Sequence, residues 1–287
     1  MKKKILIQID HDDHASTFDS VVAIDSGVDH LLSYANVTPI QIQNIVHGAI
    51  FTRSAKSLKS TAMFFGGSNV SKTEELFSQA KKCFFGPLRI SLMTDPNGSN
   101  TTAVAAVLSA QKHFDLAGKK VTVLAGTGPV GMRIGQLCAA AGAEVKICSR
   151  RLERAESVCE LIESRTGNRP APVQAAVPTE ARSVVTDTEI LFAAGAAGVE
   201  LLDEGWEAGS KSLQMAIDIN AVPPVGIAGV DVMDDGEDRE GRICYGAIGV
   251  GKLKMDIHRA AIAALFESND LTVDLKEIFE LGKRLNS

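Results

Sequence analysis

Cysteine is sparse in this chain and shows no pairing pattern. Cys83, Cys138, Cys148, Cys159 and Cys244 are odd in number and never stand in a C-x-x-C or zinc-type spacing. A disulfide framework and a thiolate metal site are therefore not expected, and a reducing cytoplasm is the compartment that fits. Aromatics are few: one Trp, two Tyr and eleven Phe in 287 residues. A stacking platform for single-stranded nucleic acid is unlike such a composition. An excess of positive charge is missing as well, since 30 basic side chains face 35 acidic ones for a net charge of −5. That balance argues against nucleic acid or an anionic membrane as partner. No apolar run approaches the roughly 18 residues of a membrane helix. The apolar stretch after the basic start, Ile5 to Ile9, is too short for a signal peptide, is ended by Asp10, and reads as a first β-strand. No G-x-S-x-G, H-E-x-x-H or Walker sequence occurs, which weighs against serine hydrolases, zinc proteases and P-loop NTPases.

What is present is an ordinary globular composition, 45% hydrophobic and 23% charged, long enough for two domains. Short β-branched runs alternate with stretches of helical period, the pattern of an α/β fold around largely parallel sheets. In the first part, strands are expected at 4–9, 61–65 and 88–93, and helices at 16–24, 39–46, 71–82 and 100–114, the last capped by Asn100 and Thr101. After Asp115–Gly118 a new series opens, with strands at 121–125, 144–148, 189–194 and 213–220 and helices at 130–141 and 152–164. Pro170, Pro172 and Pro178 break up the stretch beyond the second of these helices, and Asp231 to Gly241 reads as a solvated acidic loop. Two amphipathic helices, 253–266 and 273–285, close the chain and return to the first domain. The expected organisation is 1–112, 113–250 and 251–287, a Rossmann-type domain inserted between an α/β domain and the C-terminal helices that complete it.

The strongest local signal is Gly126-Thr127-Gly128-Pro129-Val130-Gly131, which follows a strand and opens a helix. In that context the first glycine allows the turn, the second admits a pyrophosphate, and the third lets helix and strand pack closely. Dinucleotide folds choose their cofactor roughly 20 residues further on, where an acid binds the NAD ribose and an arginine accommodates the NADP phosphate. Here Ser149-Arg150-Arg151 offers two guanidiniums and no acid, so NADP is expected, with NAD the weaker cofactor. The alternative is a pair of solvated charges at a helix entry. Ala194 and Gly195, after one strand, and Asn220, after another, suit further nucleotide contacts or ordinary loop chemistry equally well. The segment Asp95 to Thr102 is dense in hydrogen-bonding side chains and fits either a polar ligand edge or a helix cap. His11-Asp12-Asp13-His14 has metal-ligand types in a poor spacing, and no metal is expected.

Together these blocks resemble the bacterial NADP-dependent methylenetetrahydromethanopterin dehydrogenases, which also act on methylenetetrahydrofolate. The similarity spans essentially the whole chain. It includes Phe18-Asp19-Ser20, Val28-Asp29-His30, Asn36-Val37-Thr38-Pro39, Phe84-Phe85-Gly86-Pro87 and Asn97-Gly98-Ser99-Asn100-Thr101-Thr102. It continues through the glycine turn, Asn220 to Pro224, Gly246-Ala247-Ile248-Gly249, Leu253-Lys254 and His258-Arg259. The resemblance implies an N-terminal pterin-binding domain completed by the C-terminal helices, a central NADP domain, and a homo-oligomer, commonly a trimer. It implies reversible hydride transfer from the methylene carbon bridging N5 and N10 of a reduced pterin to NADP⁺, as in methylotrophic formaldehyde oxidation. It further implies Lys254 near the reacting carbon, and Asp19, Asn97, Ser99, Asn100, Thr101 and His258 on the pterin. Lys252 and Asp256 depart from the family pattern of Gly and Lys, and Ser149-Arg150-Arg151 replaces Gly-Arg-Lys. Two other functions compete. A folate dehydrogenase with cyclohydrolase activity needs a lysine four residues after Tyr34, where Thr38 stands, and a non-catalytic NADP sensor would keep the fold without turnover.

Overall fold

Strands covered on both faces need apolar residues on both, and the first unit shows this in Ile5–Ile9 (β1), Thr61–Phe65 (β3) and Ser91–Thr94 (β4). In the computed structural model, which describes residues 2–286, β3 is buried along its whole length. His30–Tyr34 (β2) and Thr272–Val273 (β12) extend the sheet to five strands in the order β12-β4-β3-β1-β2, all parallel. The order reverses between β1 and β3, the arrangement of flavodoxin-like doubly wound sheets. Helices Thr17–Asp25 (α1), Pro39–Ile50 (α2) and Val70–Lys82 (α3) are the connections. Ile42, Val46, Leu76 and Phe77 pack with Ile7, Ile9 and Phe65 in one core. Buried Gln8 ties β1 to its neighbours, donating to the Ser16 carbonyl and accepting from the Ser20 and Ser33 hydroxyls.

The second unit holds Lys120–Leu124 (β5), Glu144–Ser149 (β6), Ala171–Gln174 (β7), Ile190–Ala193 (β8), Met215–Asp218 (β9), Asp235–Arg239 (β10) and Arg242–Tyr245 (β11). Their order is β10-β11-β9-β8-β5-β6-β7, parallel except for the β10 edge. Without that edge it is the 3-2-1-4-5-6 order of dinucleotide folds, reversing between β5 and β8. Pro129–Ala140 (α5), Leu152–Thr166 (α6) and Pro178–Val184 (α7) complete the layers. Ser99–Gln111 (α4), Ala247–Ala264 (α8) and Leu275–Asn286 (α9) are the remaining helices. The chain divides into Met1–Thr101 with Met255–Ser287, and Thr102–Lys254. Both divisions fall inside helices, α4 and α8, earlier than the expected boundary after 112 and later than the one after 250. Among the described residues no helix is long and apolar enough to cross a membrane.

Several local expectations are corrected. β4 starts at Ser91 and not at Leu88, because Gly86, at φ +51°, turns the chain so that Phe85 and Leu88 bridge each other. Helix α4 starts at Ser99, and its cap is Asp95: the Asp95 carboxylate accepts from the N–H groups of Asn100 and Thr101, 2.7 and 3.2 Å away. The stretch beyond α6 is not without structure, since Pro172 sits in β7, an edge strand that tolerates its missing N–H. The acidic segment 231–241 is no solvated excursion. Its residues 235–239 form β10, joined to β11 by a two-residue turn with Glu240 and Gly241 both at positive φ. Buried Asp234 receives Arg239 through two 2.6 Å bonds. Helix α8 begins six residues before the expected start because this segment covers it: a Cβ at Gly246 or Gly249 would overlap the carbonyls of Asp231 and Asp234.

Glu277, in the first turn of α9, is pushed up from 4.5 to about 6 by burial and by the neighbouring Asp274 carboxylate. A raised carboxyl contributes stability below its unfolded value that is lost as pH climbs through the folded one, here between about 4.5 and 6. Glu277→Gln is therefore expected to melt like the parent at pH 4.5 and roughly 2 °C higher at pH 7.5, a gain reduced by the partial exposure of the site. Thermal melts of both proteins across that range check it.

Candidate functional site

Carboxyl ends of parallel strands are where such folds place ligands. In the second unit the ends of β5, β6 and β8 and the segment after β7 surround a cleft of 820 Å³. Its lining brings together Thr127, Gly128, Ser149, Arg150, Arg151, Ala194 and Gly195, residues up to 68 positions apart in sequence. The three glycines of the turn differ in what they face. A Cβ at Gly126 would stand 2.9 Å from the Val123 carbonyl, and one at Gly131 2.7 Å from the Gly126 Cα, so both are fixed by the chain's own packing. A Cβ at Gly128 would meet nothing closer than 3.6 Å. Its smallness leaves open the mouth of the turn, at the N-terminus of α5, where N–H groups and helix dipole favour an anion. Pro129 opens α5 without losing a needed N–H, and its carbonyl accepts from Arg133 at 2.9 Å; Val130 follows in the same turn.

Ser149 is buried at the end of β6, 6% exposed, and its hydroxyl receives the Thr127 hydroxyl at 3.4 Å and the Arg151 N–H at 3.3 Å. Arg150 and Arg151 stand exposed beside it. A third cation on the lining, Arg154 in the first turn of α6, was not expected, nor were Ala175, Ala176 and Val177. The last three follow β7, which the prolines hide in the sequence. Arg154 was legible, because it stands in the first turn of the helix that Arg150 and Arg151 lead into. Cys148 also lines the cleft, but burial pushes its thiol up to about 12, so it stays neutral. Asn220 is not part of the lining. Its amide accepts from Gly198 and Val222 N–H and donates to the Pro224 carbonyl at 3.0 Å, shaping the loop after β9.

The residues expected on a pterin lie in the first unit or on α8. Asp19 is buried in the first turn of α1, where a Cβ on Gly66 would stand 3.1 Å from its Oδ2. The His258 ring is buried, with centroids 5.7 Å from Phe64 and 6.3 Å from half-exposed Phe18. Asp19 and His258 thus gather around Phe64, whose ring edge would stand 3.2 Å from the same Gly66 Cβ. Asn97 is exposed at φ +52°. Ser99, Asn100 and Thr101 lie inside the Asp95 turn: they are buried, and donate to the Pro96 carbonyl, the Thr94 carbonyl and the Asp95 carboxylate at 2.7, 2.7 and 2.6 Å. Lys254 is half-buried on α8, four residues before His258. The two departures beside it are both ion-paired, Lys252 with Asp235 at 2.8 Å and Asp256 with Arg259 at 2.7 Å.

Asp10, His11 and Asp12 place ligand-type atoms within 4.8 Å of one another. These atoms also take part in hydrogen bonds that shape the loops. The Asn69 N–H donates to His11 Nε2 at 3.0 Å, and Asp10 accepts from the N–H groups of Asp12 and Ser16. Burial opposes ionisation of Asp12, but the Ser68 hydroxyl and N–H hold its carboxyl below the usual range.

A doubly wound sheet with a glycine turn open at Gly128 and a cleft across its strand ends defines a Rossmann-type, NAD(P)-dependent dehydrogenase. Comparison with known proteins agrees and narrows the class. A family model described as methylene-tetrahydromethanopterin dehydrogenase, N-terminal, matches residues 17–97. The chain is 43% identical to the bifunctional protein MdtA of Methylorubrum extorquens, over 99% of this chain and 100% of that one. It is 30% identical to the NAD(P)-dependent methylenetetrahydromethanopterin dehydrogenase of the same organism, over 98% of each chain. The fold is shared with shikimate 5-dehydrogenase from Listeria monocytogenes, at a TM-score of 0.50 and 14% identity over 97% of this chain and 96% of that one. The chain belongs to the methylene-tetrahydromethanopterin dehydrogenase family, and its cofactor is a nicotinamide nucleotide.

Proposed function

We propose that this protein oxidises a methylene-tetrahydropterin, methylene-tetrahydromethanopterin first and methylene-tetrahydrofolate second, to the methenyl form, with NADP⁺ preferred over NAD⁺. The observation that carries the reading is the end of β6, where Ser149, Arg150 and Arg151 border a cleft whose glycine turn is open at Gly128. The nicotinamide nucleotide, when bound, supplies the hydride acceptor. N–H groups at the start of α5 hold its pyrophosphate, and the Arg150 and Arg151 guanidiniums with the Ser149 hydroxyl hold a 2′-phosphate.

The first unit with its C-terminal helices takes the pterin. Asp19 offers a carboxylate to the donor edge of the ring, Phe18 and the Phe64–His258 pair offer aromatic contact, and exposed Asn97 offers a polar edge. The pterin nitrogens themselves stabilise the cation that develops as hydride leaves, so the protein needs no metal and little acid or base help. Alignment dominates. A positive charge beside a developing cation does not lower its energy, so the part assigned to Lys254 is to orient the pterin through its ring substituents.

Five free thiols fit a cytoplasmic setting. Exposed Val21 and Ile24 on α1 and Leu32 and Tyr34 on the β2 edge fit a homo-oligomer such as a trimer. The decisive test is nucleotide reduction followed by absorbance with both methylene pterins and both nucleotides. Turnover with NADP⁺ and a methylene pterin is expected, and none with either pterin would overturn the reading. Hydrolysis of the methenyl product in the same cuvette would add a cyclohydrolase activity. It is not expected, because the position four residues after Tyr34 holds Thr38 and not a lysine.

A further inference from the structure

The loop after β8 forms one wall of the nucleotide cleft, through Gly195 and Val199 to Leu201. Its conformation is set from a neighbouring strand. Asp218, the last residue of β9, is 2% exposed. Its carboxylate accepts from three backbone N–H groups: Asn220 at 3.0 Å, Gly226 at 2.6 Å and Ile227 at 3.0 Å. Gly226 is held so closely that a Cβ on it would lie 2.8 Å from Asp218 Oδ1. The carbonyl of the same Gly226 accepts from the N–H groups of Leu201 and Leu202, at 2.8 and 3.0 Å. Leu201 then packs over Gly195, where a Cβ would stand 3.1 Å from Leu201 Cδ1. A second strand of the same link runs from Asn220, whose Oδ1 accepts from Gly198 N–H at 3.4 Å.

We infer that Asp218 is a positioning residue for the cofactor: through Gly226 and Leu201 it fixes the wall of the nucleotide cleft formed by the loop after β8, without touching the nucleotide. The inference rests on the nicotinamide-nucleotide reading of that cleft. An ionised carboxylate is the group that can accept from three N–H donors at once. Burial pushes the Asp218 carboxyl up even so, with the three N–H groups opposing the rise. A buried acid kept at this cost by backbone donors alone, next to a ligand wall, does more than fill space.

The chain carries its own probe of this relay. Trp206, the single tryptophan, is 3% exposed and donates its Nε1–H to the Ala228 carbonyl at 3.0 Å, next to Ile227. Titration of Trp206 emission with NADPH and NADH reads nucleotide binding, and the emission before titration reads the loop. Asp218→Asn replaces one acceptor by a donor facing N–H groups. It is expected to raise the Kd for NADPH by about tenfold or more, while kcat at saturation and the KM for the pterin stay within about twofold. Gly226→Ala, acting on the same contact from the other side, is expected to do likewise. An NADPH Kd within twofold of the parent in Asp218→Asn, or a pterin KM that rises as much as the nucleotide's, overturns the relay. If Asp218→Asn does not fold, Gly226→Ala tests the same contact, and an unchanged NADPH Kd there overturns the relay equally. A parent protein that binds neither NADPH nor NADH removes the cofactor reading, and the relay with it.

Discussion

Replacement of both Arg150 and Arg151 by alanine is expected to raise the KM for NADP⁺ by about 10²- to 10³-fold and that for NAD⁺ by less than about threefold. The figure follows from two charge-assisted contacts to a dianionic phosphate, each worth roughly 1.5–3 kcal/mol and weakened by the exposure of both side chains. The contrast between nucleotides is the informative part. Both share the pyrophosphate, which the proposed function assigns to the glycine turn, whereas only one carries a phosphate on the adenosine ribose. Arg154 stands on the same lining, so a triple replacement is expected to lose more than the double one. Steady-state kinetics with the two nucleotides at fixed pterin decide it. An equal rise for both would mean that the arginines act on the fold or the field of the cleft and not on the extra phosphate.

The second large effect is expected at Lys254. Lys254→Ala should lower kcat by about 10²-fold with little change in the KM for NADP⁺, the signature of lost alignment at the reacting carbon. Lys254→Arg keeps the charge but not the shape, and separates the two contributions: recovery means that charge suffices, and no recovery means that reach and direction matter. The neighbouring charges do not confuse this test, since Lys252 and Asp256 already have partners in Asp235 and Arg259. If kcat and the pterin KM of Lys254→Ala equal those of the parent, Lys254 has no part in the reaction.

The nucleotide half of the site was legible because its signals are local. Strand β5, the glycine turn and α5 follow one another within 21 residues, and Gly126 and Gly131 answer steric demands of the chain itself. The remainder was hidden for physical reasons. Strand β2 is an exposed edge, so its burial pattern carries no apolar rhythm. Strand β7 contains a proline, and β10 is an acidic edge that solvent tolerates. Both look like loops when judged by composition. Ser99, Asn100 and Thr101 show how a polar row reads two ways: it suggests a ligand, and it also supplies the donors with which buried Asp95 turns the chain. Asp218 was invisible for the same reason reversed, because nothing in Met215–Asp218 tells that its carboxylate will face backbone N–H groups eight and nine residues further on.

The unequal duties of the three turn glycines bear on how such a protein could age. Gly126 and Gly131 answer to the chain, and a side chain at either would collide with backbone whether or not a nucleotide is ever met. At Gly128 a Cβ would meet no atom of the chain closer than 3.6 Å, so on the proposed nucleotide reading it answers to the guest. A descendant relieved of selection for its chemistry could therefore change Gly128 first and go on folding, while its two companions stayed fixed. The middle glycine is thus the place in this lineage where loss of trade would be written before any loss of shape.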